Sequence, residues 1–521
     1  MYAQIMEAFG LIFNLNVFLI IIGGTVLGLV VGSLPGLSGT MAIAIALPIT
    51  FYISPWFGIP LILAIYKSSQ WAGAVGSILI NTPGNAANAA MLLDGYPLRK
   101  QGHGLRALEA SLKAGWAADV MSDIITILVC QPLAAAALLF RPPEFALVIV
   151  TAFMMIATMG NESAIKTLIA AAFGLFVSTI GQDPLMGTPR LNFNISDLYG
   201  GFNLVPLLIG VFAMSEIFIQ LTGKLSGAKS PTEAAGRPST SLDSDGGGEF
   251  APEKFEHFHF WELKNYFAAW LRSSLIGTWI GVLPGIGSGV SPWIAYGVSK
   301  ARSKHPEEYG KGSMEGLISA QAACNAVGGA NLVPLIALGI PGDTTAAILL
   351  GALMVHGIQP GPMFIKTDPV SVYAIFATLL ICDVVYYFAG KYFIKGVSRI
   401  SAFDNTRLVP FVLMFCVLGT YAINTSLFDV YVMFIFGIIG YIMKKFGFSP
   451  PAFVIAYVLG YIFEMNLRQT IRLSDGRIWM YLKDPVCLAL FVVNIGILVY
   501  FVKKQLDKRK RSAKNGRATQ L

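Results

Sequence analysis

Charge is what this sequence has least of: Asp, Glu, Lys and Arg together supply only 13% of its 521 residues, against 55% hydrophobic. A water-soluble domain carries about a quarter charged residues, so the deficit argues against a large soluble fold. Cysteine is nearly absent as well. Cys130, Cys324, Cys382, Cys416 and Cys487 stand far apart, mostly in apolar runs, and no C-x-x-C spacing occurs. Metal and dithiol chemistry are therefore not indicated, and small buried hydrophobes are the plain reading. The phosphate loop G-x-x-x-x-G-K-[ST] is missing, since Gly310-Lys311-Gly312-Ser313 lacks the rest of it. A zincin helix, a nucleophile elbow and a kinase motif set are missing too. ATP-driven and enzymatic classes lose their support, and any uphill work must draw on an ion gradient. The first apolar stretch is expected to stay in place, because Met1–Gly10 has no basic residue and no A-x-A-like exit follows.

Apolar runs recur along the whole chain. Val17–Leu34, Thr126–Phe140, Ala146–Met159, Val370–Phe388 (interrupted by Asp383), Leu427–Met443 and Cys487–Val502 are the clearest. With about 20 residues needed per span, they predict an all-α polytopic membrane protein of roughly ten to twelve membrane helices. The net charge of +8 comes from short loops and from the tail Lys503-Lys504-Gln505-Leu506-Asp507-Lys508-Arg509-Lys510-Arg511, which is no nucleic-acid footprint. Basic loops resist translocation, so the C-terminus is expected in the cytoplasm, with Arg99–Lys113 and Lys300–Lys311 on the same side.

A Ser-, Gly- and Asp-rich stretch over residues 223–260 reads as a solvated linker. It sets off an N-terminal membrane repeat (1–222) from a C-terminal one (261–485), followed by a last membrane helix (486–503) and a basic tail (504–521). Within the linker, His257 and His259 lie beside Phe255, Phe258, Phe260 and Trp261, which favours an interfacial amphipathic segment over a metal pair. The halves repeat each other. Gly28, Gly32, Pro35 and Gly36 recur as Gly277, Gly281, Pro284 and Gly285 at a constant offset of 249. Further on, Asn81-Thr82-Pro83-Gly84-Asn85 is echoed by Gly339-Ile340-Pro341-Gly342-Asp343. Between its two Pro-Gly pairs half one is nearly free of basic residues, whereas half two has Lys300, Arg302, Lys304 and Lys311 there; beyond the second pair the bias reverses. Equivalent loops of opposite bias belong on opposite faces, which predicts inverted-topology repeats.

Proline lacks an amide hydrogen and glycine relaxes the backbone, so a Pro-Gly pair inside a membrane helix should interrupt it. The freed backbone groups must then be covered by protein or line a wet cavity. Half-helix N-termini there attract a carboxylate, and loose carbonyls suit Na+. The substrate-binding candidates are Pro35, Gly36, Ser38, Thr40, Asn81, Pro83, Gly84, Asn85, Pro284, Gly285, Ser288, Pro341, Gly342 and Thr344. Asp343, Asn325, Asn331 and Thr345 are the cation-coupling candidates, with Asp343 either a cation ligand, a helix N-cap, or both. The early glycines at four-residue spacing are expected to be helix-packing positions.

At these residues the sequence resembles the large membrane subunit of tripartite tricarboxylate transporters, the TctA family. The resemblance runs from about Gly23 to Asp475 and is carried by Gly28–Gly36, Asn81–Gly84 and Asp94-Gly95-Tyr96-Pro97-Leu98. Gly181-Gln182-Asp183 with Gly187 and Arg190, Gly277–Gly285, Gly339–Gly342, Gly357–Pro362, and Glu464 with Arg468-Gln469 complete it. It implies the transport core of a three-part system, with a small four-helix membrane subunit and an extracytoplasmic solute-binding protein as partners. It also implies a di- or tricarboxylate or related organic acid as substrate, Na+ or H+ as coupling ion, no other cofactor, and the inner membrane of a bacterial cell. Where the family usually has small residues after the tyrosine, this chain has Lys67, Ser68, Ser69 and Gln70 after Tyr66. Lys67 is expected to snorkel to the interface, with a role as substrate-binding cation the alternative. Asp94 and Arg190 match family motifs and are either transport residues or a turn residue and a loop anchor. The reading is a non-enzymatic permease subunit of a binding-protein-dependent symporter, and the alternative is a gated solute or ion channel built on broken helices.

Overall fold

A chain in hydrocarbon can satisfy its backbone only within helices or closed barrels, and this one takes the helical route. The computed structural model describes residues 2–34, 38–159, 164–225, 252, 254–284, 287–400 and 409–499. Its helices are α1 (Tyr2–Ile12), α2 (Leu15–Ser33), α3 (Gly39–Thr50), α4 (Pro55–Ile80), α5 (Leu92–Lys100), α6 (Gly104–Ala137), α7 (Pro142–Met159), α8 (Ala164–Ser178) and α9 (Leu204–Thr222). After the linker come α10 (Phe267–Val282), α11 (Ser291–Arg302), α12 (Met314–Leu338), α13 (Thr344–Val355), α14 (Pro369–Ile400), α15 (Val409–Asn424), α16 (Leu427–Lys445), α17 (Pro450–Leu473) and α18 (Pro485–Val499). Seven are long and apolar enough to cross a membrane: α2, α6, α9, α12, α14, α16 and α17. The roughly ten to twelve spans expected are not matched one for one by long helices, because interruption leaves shorter apolar pieces such as α3, α13 and α15. The 26-residue α4 is long enough but has a polar middle, Lys67-Ser68-Ser69-Gln70.

The repeat seen in the sequence recurs in the packing. In half one, Gly28 of α2 faces Ile65 and Ser68 of α4, and Gly32 faces Ser69 and Ala72. In half two, Gly277 of α10 faces Ala323 and Ala326 of α12, and Gly281 faces Val327 and Ala330. Each contact in α4 maps onto its counterpart in α12 at an offset of 258, the same offset that relates Pro83 to Pro341. Both helices then end in the left-handed region, at Asn81 (φ 54°) and Gly339 (φ 72°). A Cβ on Gly84 would lie 2.8 Å from the Gly32 carbonyl oxygen, and one on Gly342 would lie 3.2 Å from that of Gly281. Small residues therefore let each second break nestle against the first helix of its own half.

The packing units differ from the sequence halves. One unit comprises Met1–Ala137 with Phe202–Phe446, and the other comprises Leu138–Gly201 with Gly447–Leu521. The division at 1–222 and 261–485 thus cuts across both, because α8 packs on α17: Gly174 abuts the Phe453 carbonyl and Gly460 abuts Ser178. At the end of the 223–260 stretch, residues 254–260 are exposed except for Phe258. Phe258 is fully buried among Ala110, Ala114 and Trp270, and the Lys254 amide donates to the Gly102 carbonyl (2.8 Å), while Phe255, Phe260 and Trp261 stay exposed. His257 pairs with Glu109 and His259 with Glu262, so each ring has its own carboxylate partner. Most of residues 223–260 and the whole 504–521 tail lie outside the described residues.

In the second unit, a short hairpin pairs Gly181 with Arg190. The amides of Leu185 and Met186, and then Arg468 and Arg190, hold the Asp183 carboxyl below the usual carboxylate range. A lowered carboxylate stabilises at neutral pH, and that contribution is lost as pH falls through the lowered value. Amide protection factors over residues 181–190, corrected for the intrinsic exchange rate at each pH, should therefore fall in acid, and Asp183→Ala should lower them already at neutral pH. For the glycine contacts, a Cβ on Gly277 would lie 2.9 Å from the Ala323 Cα, whereas Gly23 has nothing within 4 Å. Gly277→Ala should cost about 1–3 kcal/mol in thermal unfolding of the detergent-solubilised protein, and Gly23→Ala should not destabilise it.

Candidate substrate and cation site

The second break of half two is the best-defined part of the site. After the left-handed Gly339, the chain passes Ile340, Pro341 and Gly342, and Asp343 starts α13. Asp343 is an N-cap: its Oδ1 accepts from the Ala346 amide at 2.9 Å. Its other oxygen accepts from Ser288 Oγ at 3.3 Å, so the loop after α10 reaches the start of α13. Two residues on, the Thr345 and Thr40 hydroxyls lie 3.3 Å apart and join the two halves. Asn331 lies between the Asp343 carboxylate and Tyr66, donating to the Tyr66 hydroxyl at 3.4 Å. The corresponding break of half one is built alike, with Asn85 as N-cap accepting from the Asn88 amide at 3.0 Å. Where half one has Gly73 against Gly84, half two has Asn331 against Gly342.

The candidates therefore fall into groups. Ser288, Asp343, Thr345, Thr40, Gly342 and Asn331 converge, and Pro341 and Thr344 adjoin them. Ser38 caps α3 by accepting from the Met41 amide at 3.2 Å. Asn81, Pro83, Gly84 and Asn85 form the half-one break, and Pro284 closes α10. Pro35, Gly36 and Gly285 lie outside the described residues. Asp94 accepts from the amides of Gly310, Gly312 and Ser313 at 2.8–3.0 Å, so it clamps the loop before α12. Arg190 sits in the second unit and forks onto Glu464 at 2.6 and 3.1 Å, an anchor for the 181–190 hairpin.

Lys67 does not snorkel. It is 0% exposed, and its ammonium meets Asp119 at 2.6 Å, Asp123 at 2.8 Å and Asp383 at 3.2 Å. The stem starts mid-way along the buried α4, too deep for the head to reach an interface, and three carboxylates offer it a better partner than lipid headgroups. Asn325, the repeat counterpart of Lys67, donates to Asp119 and to the Tyr386 hydroxyl, each at 3.3 Å, while Gln321 donates to Asn325 at 2.6 Å. Asn325 thus belongs with this cluster rather than at the Asp343 break.

Asp119, Asp123, Asp383, Tyr66 and Tyr386 were not among the sequence candidates. A signal existed for three of them. Asp119 and Asp123 stand four apart on one face of a helix, and Asp383 interrupts an apolar run; an intramembrane acid should have a partner.

Paired interruptions in hydrophobic helices, lined by hydroxyls, amides and one acid, define a membrane transporter rather than an enzyme. The chain belongs to the tripartite tricarboxylate transporter TctA family, whose description matches residues 18–455. It is 30% identical over 480 residues to an uncharacterized 52.8 kDa protein in the TAR-I ttuC' 3' region of Agrobacterium vitis, covering 91% of each chain. It is also 32% identical over 219 residues to an uncharacterized protein in the TAR-II ttuC' 3' region of the same organism, covering 42% of this chain and 90% of that one.

Removing one member of a buried ion cluster strands the others. Lys67→Met should cost about 3–5 kcal/mol, read as loss of thermal stability in detergent. Adding Asp119→Asn and Asp123→Asn should recover part of that loss.

Proposed function

We propose that this chain is the permease subunit of a binding-protein-dependent secondary transporter that takes up di- or tricarboxylates or related organic acids by symport with Na+ or H+. The observation that carries this reading is the meeting of two interrupted segments at Asp343, where Ser288 and Thr345 converge with Thr40 from the other half. A half-helix N-terminus with its unpaired amides attracts a substrate carboxylate. Hydroxyl and carboxylate oxygens beside it suit a small cation. Membership of the family supports a three-part system, in which a small four-helix membrane subunit accompanies the permease and an extracytoplasmic binding protein delivers the acid.

The matching packing of α2 on α4 and of α10 on α12 supports two repeats, and the opposed basic bias of their loops supports inverted topology. On that basis the two halves alternate access to a site near the midplane, and the C-terminus faces the cytoplasm of a bacterial-type inner membrane. The second reading, a gated channel, rests on the same broken helices.

Proteoliposomes holding the full chain with its two partner subunits separate the readings. Uphill accumulation of radiolabelled citrate, succinate or malate under an imposed Na+ or pH gradient is the expected result. Passive conductance without accumulation would replace the carrier with a channel. Asp343→Asn keeps a good N-cap but removes the charge, so the ion dependence of uptake should weaken while the fold holds. Unchanged ion affinity with normal uptake would remove Asp343 from the cation site.

A further inference from the structure

We infer that Lys67, Asp119, Asp123 and Asp383 form a proton-binding site, with one proton shared between Asp123 and Asp383, and that this site couples uptake to H+. The inference rests on the carrier reading above and deepens it, because it names H+ as a coupling ion and gives it a binding site additional to the cation candidate Asp343. Three carboxylates and one ammonium sum to −2 if all are ionised, and all four side chains are at most 1% exposed. Buried charge of that size cannot stand uncompensated. Something positive must join the cluster.

Its geometry favours a proton over Na+. A bare cation would need the oxygens at the centre, and the Lys67 ammonium already occupies that place, touching all three carboxylates. A proton needs no such room. Asp383 Oδ1 faces the ammonium at 3.2 Å, while its Oδ2 meets no hydrogen-bond donor among the described residues. Yet the Asp383 and Asp123 carboxyls lie within hydrogen-bonding reach of each other, and two carboxyls bond only when one carries a proton. One proton brings the cluster to −1 and a second to zero. Among the described residues, the other titratable side chains around the cluster are Cys382, Tyr386, Cys324 and Tyr66, and none brings a positive charge. The route to the substrate break is short. Tyr66, next to Lys67 on α4, donates to the Gly328 carbonyl at 3.1 Å and accepts from Asn331, which lies beside Asp343. Loading the cluster therefore bears on the same helix that borders the break.

The first test needs no transport. Infrared spectra of the purified full chain in lipid vesicles at neutral pH should contain a protonated-carboxyl band that shifts in heavy water. Wild-type minus Asp383→Asn should remove one carboxyl from that band, and wild type alone should lose it at high pH. Absence of the band in wild type, or no change with either Asp383→Asn or Asp123→Asn, overturns the inference. The second test uses the proteoliposomes above with radiolabelled citrate, succinate and malate. The ratio of accumulation under a pH gradient to that under a Na+ gradient should fall about tenfold in Asp383→Asn, the size of one proton equilibrium displaced by one pH unit. Wild-type accumulation driven by Na+ alone keeps the carrier and removes the proton site. No accumulation under any gradient removes the carrier, while the infrared result still decides the cluster.

Discussion

Backbone amides and carbonyls have no partner in hydrocarbon except one another, and an orphan there costs several kcal/mol. That constraint governs this protein. A Pro-Gly pair frees backbone groups in the middle of a span, so each break has to be surrounded by protein. The interior helices α4 and α12 are accordingly buried nearly throughout. They serve as walls against which the breaks are laid, and the glycines of α2 and α10 let the walls come close. Asn85 and Asp343 then satisfy the first amides of the segments that follow. The features that make a site, exposed amide ends and side-chain oxygens, are what remains after that constraint has been met.

The repeat explains why the same solution occurs twice. One glycine pattern on α2 and α10 meets one pattern of small residues on α4 and α12, and the left-handed turns at Asn81 and Gly339 fall at the matching place. The copies differ where chemistry is wanted. Asn85 corresponds to Asp343, and Gly73 to Asn331, so half two has an acid and an amide at its break where half one has neutral or small groups. A cap needs only an oxygen, which Asn and Asp both supply. The charge on Asp343 is therefore not required by the cap, and this is what singles it out for ion chemistry.

Much of this was legible from the residues. Hydrophobic run lengths give the helical membrane class, and paired Gly and Pro positions give both the repeat and its interruptions, because these residues act locally on the backbone. The Asp343 cap was legible for the same reason. Packing across long sequence separations was not. Phe258 lies in a stretch whose Ser, Gly and Asp content reads as solvated, yet its aromatic side chain fills a core made by α6, α10 and α12. Nor could the sequence assign α8 and α17 to one unit, since the contact at Gly174 and Phe453 spans the linker. Lys67 was misjudged because snorkelling is a property of an isolated helix, and its three partners come from two helices remote in sequence.

The pairing of Lys67 with Asn325 across the repeat ties these threads together. Both positions occupy the same place on equivalent interior helices, and both reach for carboxylates, Lys67 for all three and Asn325 for Asp119. A neutral amide at each position would leave three buried acids with no cation at all, which no fold of this marginal stability tolerates unless the acids are protonated or bind one. A lysine at one position makes a permanent cation part of the chain. The cluster then needs only a small, exchangeable positive charge to approach neutrality, and the gradient across the membrane decides how often that charge is present. An ammonium in place of an amide on one copy of a duplicated helix is thus enough to change a passive wall into an element whose electrostatics depend on its surroundings.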